Sequence, residues 1–340
     1  MNRNQLNIII LTTIAVSGII LFALNLFVGS VTIPFDELLN VILNRECNPS
    51  ISTIVLQYRL PQTITALLAG SALSVSGLLM QTLFRNPLAD PSMLGISSGA
   101  GLGVSLTILL TGLLGGNALS SYGILSNIGV SIAAFLGAVL VLILILGFSS
   151  RVRNMTTLII IGLMVSYLAG SLTDILKFFS LKEDIHAFVI WGMGSFSSVG
   201  TSKLSFFSIS ILIGLFASLF LSKNLNILLL GNLYAENLGI NLKRTNVIII
   251  AISGYLTAIV TAYCGPIAFL GLAIPHLTRF IFKTSDHRIL VPTTMLIGMN
   301  ISLFCNLIAR APGFEGNLPI NAVTAFIGAP VVIWVILRKR

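Results

Sequence analysis

ALLAGSALSVSGLLMQTLFRNPLADPSMLGISSGAGLG, residues 66–103, reads as two small-residue apolar stretches joined by a short polar elbow that holds Pro87 and Pro91. In water a helix this rich in glycine and serine would be poor. In hydrocarbon, backbone groups must satisfy one another and small side chains let neighbouring helices approach closely, so the same composition becomes an asset. Gly95, Gly99 and Gly103 recur every fourth residue, which predicts one bare helical ridge for close packing rather than a binding site. The stretch therefore predicts two membrane helices turned by RNPLADPS at the cytoplasmic face.

The rest of the chain agrees with that solvent. Over 340 residues, 56% are hydrophobic, 9% are charged and the mean hydropathy is +1.02, which excludes a soluble domain. A span takes roughly 20 mostly apolar residues, and apolar windows centre on 8–28, 61–84, 93–114, 122–147, 155–179, 203–222, 245–264, 266–282, 289–309 and 321–337. The expectation is an all-α polytopic membrane protein of about ten transmembrane helices, forming a single domain over 1–340. The first window follows Arg3 and lacks a small-x-small cleavage site, so it reads as a helix and not as a signal. Cys47, Cys264 and Cys305 have neither disulfide nor metal-ligand spacing.

The net charge of +9 has no basic cluster interleaved with aromatics, which argues against nucleic acid and for membrane orientation. With the N terminus inside, Arg45, Arg59, Lys177, Lys182, Lys203 and Arg310 face outward. The remainder of the 19 Lys and Arg residues, from Arg3 through Arg85, Arg151, Arg153, Lys223, Lys243, Arg244, Arg279, Lys283 and Arg288 to Arg338, Lys339 and Arg340, lie inside. Both termini are expected in the cytoplasm. Outside, 32–44 reads as a short amphipathic helix with Pro34 in its first turn, and 181–202 as a polar, aromatic-bearing segment. Inside, 224–244 (NLNILLLGNLYAENLGINLKR) reads as a compact helix-turn-helix punctuated by Gly231 and Gly239, suited to docking its apolar positions into a partner.

Chemistry-bearing patterns are sparse. There is no Gly-Lys pair and hence no phosphate-cradling P-loop, so any ATP must be bound by another subunit. GAGLG at 99–103 lacks the spacing of a dinucleotide fingerprint. Asp174 and Lys177, three apart near the outer end of the fifth helix, read as a neutralising interfacial pair; the alternative is that Asp174 faces an aqueous translocation path. His276, Arg279, Asp286 and His287 read as a hydrogen-bonded turn, because the neighbouring arginines oppose a bound cation. No metal site, catalytic triad or paired helical carboxylate is expected, and a secondary transporter would need broken helices or midplane ion ligands that the sequence does not offer.

Several separate segments resemble, in order, the FecCD-type permeases of ATP-binding-cassette importers, which move iron-siderophore complexes, haem or cobalamin. They are YRLP at 58–61, AGSALSVSGLLMQTLFRNPLADPSMLGISSGAGLG, WGMGSF at 191–196, LLLGNLYAENLGINLKR, GPIAFLGLAIPHLTRFIFKTSDHRILVP at 265–292 and LPINAVTAFIGAPVVIWVILRKR at 318–340. The resemblance implies a type II ABC importer permease in the bacterial cytoplasmic (inner) membrane. It would pair with a second permease copy, as a homodimer or with a sister permease, and dock two ATP-binding subunits that hold ATP and magnesium. An extracytoplasmic substrate-binding protein would deliver the cargo, an iron chelate first and haem or cobalamin as alternatives. By the matching positions, Gly231, Ala235, Glu236 and Gly239 would couple to the ATPase, with Asn232 standing where the family usually has an acidic residue. Arg59 and Arg310 would receive acidic side chains of the binding protein, with Gln62 in place of a frequent second arginine. Helices five and ten would line the path, gated near Asn154, Met155 and Thr156.

Overall fold

The computed structural model describes residues 3–29, 31, 33–43, 45, 47–113, 123–152, 154–311 and 317–338. Arg153, Lys339 and Arg340, which contribute to the charge asymmetry, and the bounds Thr32 and Asn44 of the first outer loop lie outside them. No strand occurs among the described residues. The helices are α1 (Arg3–Phe27), α2 (Phe35–Ile42), α3 (Pro49–Thr53), α4 (Leu60–Leu83), α5 (Ile96–Leu113), α6 (Gly123–Ser149), α7 (Met155–Phe178) and α8 (Lys182–Gly192). They continue with α9 (Thr201–Phe220), α10 (Ser222–Leu229), α11 (Asn232–Asn237), α12 (Leu242–Cys264), α13 (Leu270–Phe282), α14 (His287–Ala309) and α15 (Ile320–Arg338). Each apolar window has become a helix. Among the described residues seven helical segments are long and apolar enough to cross a membrane, while α5, α13 and α15 give shorter apolar stretches. At 13 residues α13 rises only about 20 Å, because the residues between Cys264 and Leu270 are non-helical and Phe269 turns left-handed.

α4 is the hub. It is buried along nearly its whole length and packs against α14, α12, α13 and α9. Its small residues permit this: a Cβ on Gly70 would lie 2.4 Å from the carbonyl oxygen of Gly298 on α14, and one on Gly77 would lie 1.8 Å from that of Gly271 on α13. Hydroxyls fasten the same helix laterally, with Ser76 Oγ 2.6 Å from Ser253 Oγ and 2.8 Å from Thr257 Oγ1 on α12. In hydrocarbon such van der Waals and hydroxyl contacts do the work that hydrophobicity does in water.

Two expectations change. The glycine ridge is not continuous: Gly95 has φ +81° and ends the 3-10 turn Pro91–Leu94, so it precedes α5 and abuts Gly162 and Ser166 of α7. Gly99 and Gly103 alone form the ridge, against Gly137 and Ala133 of α6. A left-handed residue cannot continue a right-handed helix, and spacing alone does not reveal it. Secondly, the helix that begins the 61–84 window extends back to Pro49 through a π-helical turn, Ile54–Arg59, so Arg59 sits inside a helical run and not at its end.

Candidate functional site

The side chains with unusual chemistry collect at the two ends of the α4–α14 pair. At one end the π-helical turn delivers Arg59 and the C-cap of α14 delivers Arg310. Arg59 Nη1 donates to the carbonyls of Leu26 (2.8 Å) and Phe27 (2.7 Å), and Nη2 donates to that of Val31. Leu26 and Phe27 give the free carbonyls at the C terminus of α1, where a cation is favoured, and Val31 lies just beyond it. Arg310 Nη1 reaches the carbonyl of Asn25 at 3.3 Å. A Cβ on Gly29 would lie 2.9 Å from Arg310 Nη2 and 3.0 Å from Arg59 Nη2, so any side chain there would push the guanidinium groups aside.

The two arginines line one cleft of about 480 Å³, together with Tyr58, Gln62, Ser197, Gly200 and Asn317. Only 3% of Arg59 and 8% of Arg310 is exposed, so an incoming group meets them through that cleft and not on an open surface. Burial, and then the neighbouring charge of Arg59, bring the Arg310 guanidinium down to about 10, which leaves it a cation at neutral pH. The cleft can bind a carboxylate or another planar anion, for which paired guanidiniums are the fitting donors.

Beneath the cleft lies an amide chain that the sequence reading missed. Gln62 Nε2 donates to Asn306 Oδ1 (3.0 Å) and Asn306 Nδ2 donates to Asn25 Oδ1 (2.8 Å); lower down, Ser17 Oγ donates to Asn300 Oδ1 (2.8 Å). Gln62 thus ties the cleft to α1 and α14.

At the opposite end, Gly231 (φ +112°) opens α11 and Gly239 (φ +82°) closes it. Ala235 is buried and its N–H returns to the Gly231 carbonyl (2.9 Å), while Glu236 is exposed. Asn232, where the resemblance implies an acidic residue, accepts Arg85 Nη2 at 2.6 Å; Arg85 also reaches the Leu228 carbonyl at 3.1 Å. The elbow of the opening stretch is therefore bonded directly to the 224–244 segment.

His276, Arg279, Asp286 and His287 share no common hydrogen-bond partner set that could hold a ligand. His276 Nε2 pairs with the Pro87 carbonyl (2.6 Å) and Arg279 Nη1 donates to Gln81 Oε1 (2.6 Å). Asp286 and His287 both face Asn226 of α10. Asp286 is held below its usual carboxylate range, first by the Asn226 amide and then by the Arg288 backbone N–H. Asn154 caps α7 by accepting the Thr156 N–H (2.9 Å), Thr156 is exposed, and Met155 packs on the core. Asp174, 75% exposed near the far end of α7, pairs with Lys177 at 3.1 Å, and the Lys177 amine lies 5.0 Å from the Phe188 ring centre. The structure brings Arg59 together with Arg310, and Gly231 with Ala235, Glu236 and Gly239; the residues of α7 stand apart from both groups.

Comparison with known proteins follows this geometry closely. The FecCD transport family profile matches residues 17–338. The vitamin B12 import system permease protein BtuC of Klebsiella pneumoniae subsp. pneumoniae is 36% identical over 284 residues, covering 84% of this chain and 82% of that protein. BtuC of Escherichia coli O9:H4 is 35% identical over 288 residues, covering 84% of each. A metal-chelate type ABC transporter solved in an inward-facing conformation superposes with a TM-score of 0.83 at 31% identity, covering 97% of this chain and 99% of that one.

Proposed function

Because the chain belongs to the FecCD transport family and is the permease of an ATP-binding-cassette importer, we propose that it carries a bulky metal chelate, an iron-siderophore first, inward across the bacterial cytoplasmic membrane. The observation that carries the reading is the placement of two functional ends on one helix pair. The cleft of Arg59 and Arg310 opens at one end of α4 and α14, and the glycine-punctuated 224–244 segment is fastened at the other. In this reading the cleft faces outward and receives acidic side chains of a substrate-binding protein. The segment faces the cytoplasm and docks, through Gly231, Ala235, Glu236 and Gly239, on one of two ATPase subunits that hold ATP and magnesium.

A second permease copy completes the path, with α7 and α15 facing it. α7 supplies a broad exposed apolar surface that includes Leu163, Met164, Leu168 and Leu172. Asn154, Met155 and Thr156 gate the inner mouth, and Asp174 borders the outer one. Nucleotide binding supplies the energy, which agrees with the single ion pair among the described residues being the exposed Asp174–Lys177.

Cobalamin is the second reading, favoured by the relatives named as vitamin B12 permeases. Proteoliposomes containing the permease, its cognate ATPase and its binding protein, supplied in turn with a radiolabelled iron-siderophore, haem and cobalamin, decide between them. ATP-dependent uptake of the siderophore alone supports the first reading. Uptake of cobalamin alone selects the second, and accumulation by the permease alone under an ion gradient rejects both.

A further inference from the structure

Asn226 sits on α10, between the membrane helix α9 and the Gly231–Gly239 turn, and its amide is consumed by the N-terminal cap of α14. Its Nδ2 donates to Asp286 Oδ1 at 2.6 Å, and its Oδ1 accepts from the His287 backbone N–H at 2.7 Å and from His287 Nδ1 at 2.9 Å. The direction of this chain is fixed by chemistry: an ionised carboxylate only accepts, so the amide nitrogen must face Asp286 and its oxygen must face the imidazole. His287 then carries its proton on Nδ1, and its Nε2 lies 2.8 Å from Thr82 Oγ1 on the last turn of α4, whose one hydroxyl proton is shared between Nε2 and the Leu78 carbonyl 2.9 Å away. His287 is 1% exposed, so its contact with Thr82 is made in a nearly dry site, where an unmade bond is costly, while the Asn226 bonds are half-buried.

One side chain of α10 is thereby bonded directly to the start of α14 and, through His287 and Thr82, indirectly to α4. These two hub helices cannot slide past each other easily, because Gly70 and Gly298 bring their backbones into contact. Their far ends carry Arg59 and Arg310. We propose that Asn226, through Asp286, His287 and Thr82, locks α10 to α4 and α14. These three helices then move as one rigid lever, joining the coupling segment to the arginine cleft. Asn226, Asp286 and His287 are positioning residues: they touch neither nucleotide nor cargo. The inference rests on the coupling role given above to 224–244.

The test uses the permease assembled with its cognate ATPase and reconstituted, reading the ratio of ATP hydrolysis with and without binding protein. Asn226→Asp sets two carboxylates face to face and should lower that ratio about ten-fold, which corresponds to ~1.4 kcal/mol of lost coupling. Combining it with Asp286→Asn exchanges amide and carboxylate: the carboxylate now on α10 accepts from His287 and from the new amide, asparagine still caps α14, and net charge is unchanged. The double variant should recover the ratio to within about two-fold. A general packing defect at α10 would not be rescued by this swap, so failure of rescue, or a wild-type ratio in the single variant, overturns the lock.

Should Asn226→Asp fail to assemble, spin labels at Lys223 and Arg288 on the otherwise unaltered chain report the same unit. Their separation should stay constant between nucleotide-free and ATP-trapped states, and a shift of several ångströms overturns the lever. Gly239→Trp is measured in parallel. Loss of stimulation there with a normal Asn226→Asp rejects the lock alone, whereas normal stimulation in Gly239→Trp rejects the coupling role of the segment and the lock's part in it.

Discussion

Arg59 and Arg310 bring their Nη2 atoms within about 3 Å of the one point above Gly29 where a side chain would begin. Like charges this close, at 3% and 8% exposure, repel unless something negative is near. The carbonyls of Asn25, Leu26, Phe27 and Val31 supply part of that compensation. A docking carboxylate in the cleft would supply the rest.

Arg310 has one carbonyl contact and Arg59 has three, so their removal separates docking from stability. Arg310→Gln should weaken binding-protein affinity about ten-fold at low salt, with the deficit shrinking as ionic strength rises. Arg59→Gln should in addition lower thermal stability, by roughly 1–3 kcal/mol for the carbonyls left unpaired. Surface plasmon resonance across a salt series and unfolding in detergent check the two effects. Unchanged affinity in both variants would remove these arginines from docking.

Gly239 has φ +82° and open space around the place of a Cβ, so a side chain there points away from the permease core and toward the ATPase face proposed above. Gly239→Asn tolerates the left-handed backbone and should retain ATP-driven uptake. Gly239→Trp should insert normally and yet uncouple hydrolysis from transport, measured as the ratio of cargo moved to phosphate released.

Helix contact in this bundle is set by glycine oxygens rather than by large side chains. Gly77→Ala would drive a methyl to 1.8 Å from the Gly271 carbonyl and should cost at least about 3 kcal/mol or prevent assembly. Gly147→Ala on α6 meets nothing within 4 Å and should be neutral or stabilising by roughly 0.5–1 kcal/mol. Thermal unfolding of the two purified proteins provides the comparison.

Asp286 has a carboxyl lowered from its ordinary value of 3.8 by the Asn226 amide and the Arg288 N–H. A group depressed in the folded state stabilises it above the unfolded value, and that contribution is lost as pH falls through the folded value. Wild-type melting temperature should therefore drop below about pH 4, while Asp286→Asn lacks this component. The gap between the two curves should close toward acid. A gap constant with pH would assign Asp286 no ionic role.

Much of this architecture was legible in the residues. Hydropathy found every apolar helix, and Pro34, Gly231 and Gly239 marked the outer and coupling segments because turn chemistry is local. What stayed hidden depends on register between helices. The 61–84 apolar window begins after Arg59, yet a π-helical turn carries the helix back through it, a backbone choice that no periodicity encodes. Gln62 reads as a missing arginine in sequence and as the first link of an amide chain in space. His287 and Asp286 read as a surface turn, and their partner Asn226 is distant in sequence, so only the fold joins them.

The arginine caps also set an order of events during synthesis. The C terminus of α1 emerges first, but its carbonyls wait for Arg59 before α4 and for Arg310 after α14. Until then α1, of which little is buried, has few contacts to hold it in place. The fastening of α1 is thus completed only by a residue made 285 positions after Asn25, and a chain truncated before Arg310 should present α1 to quality-control proteases as a loosely held segment.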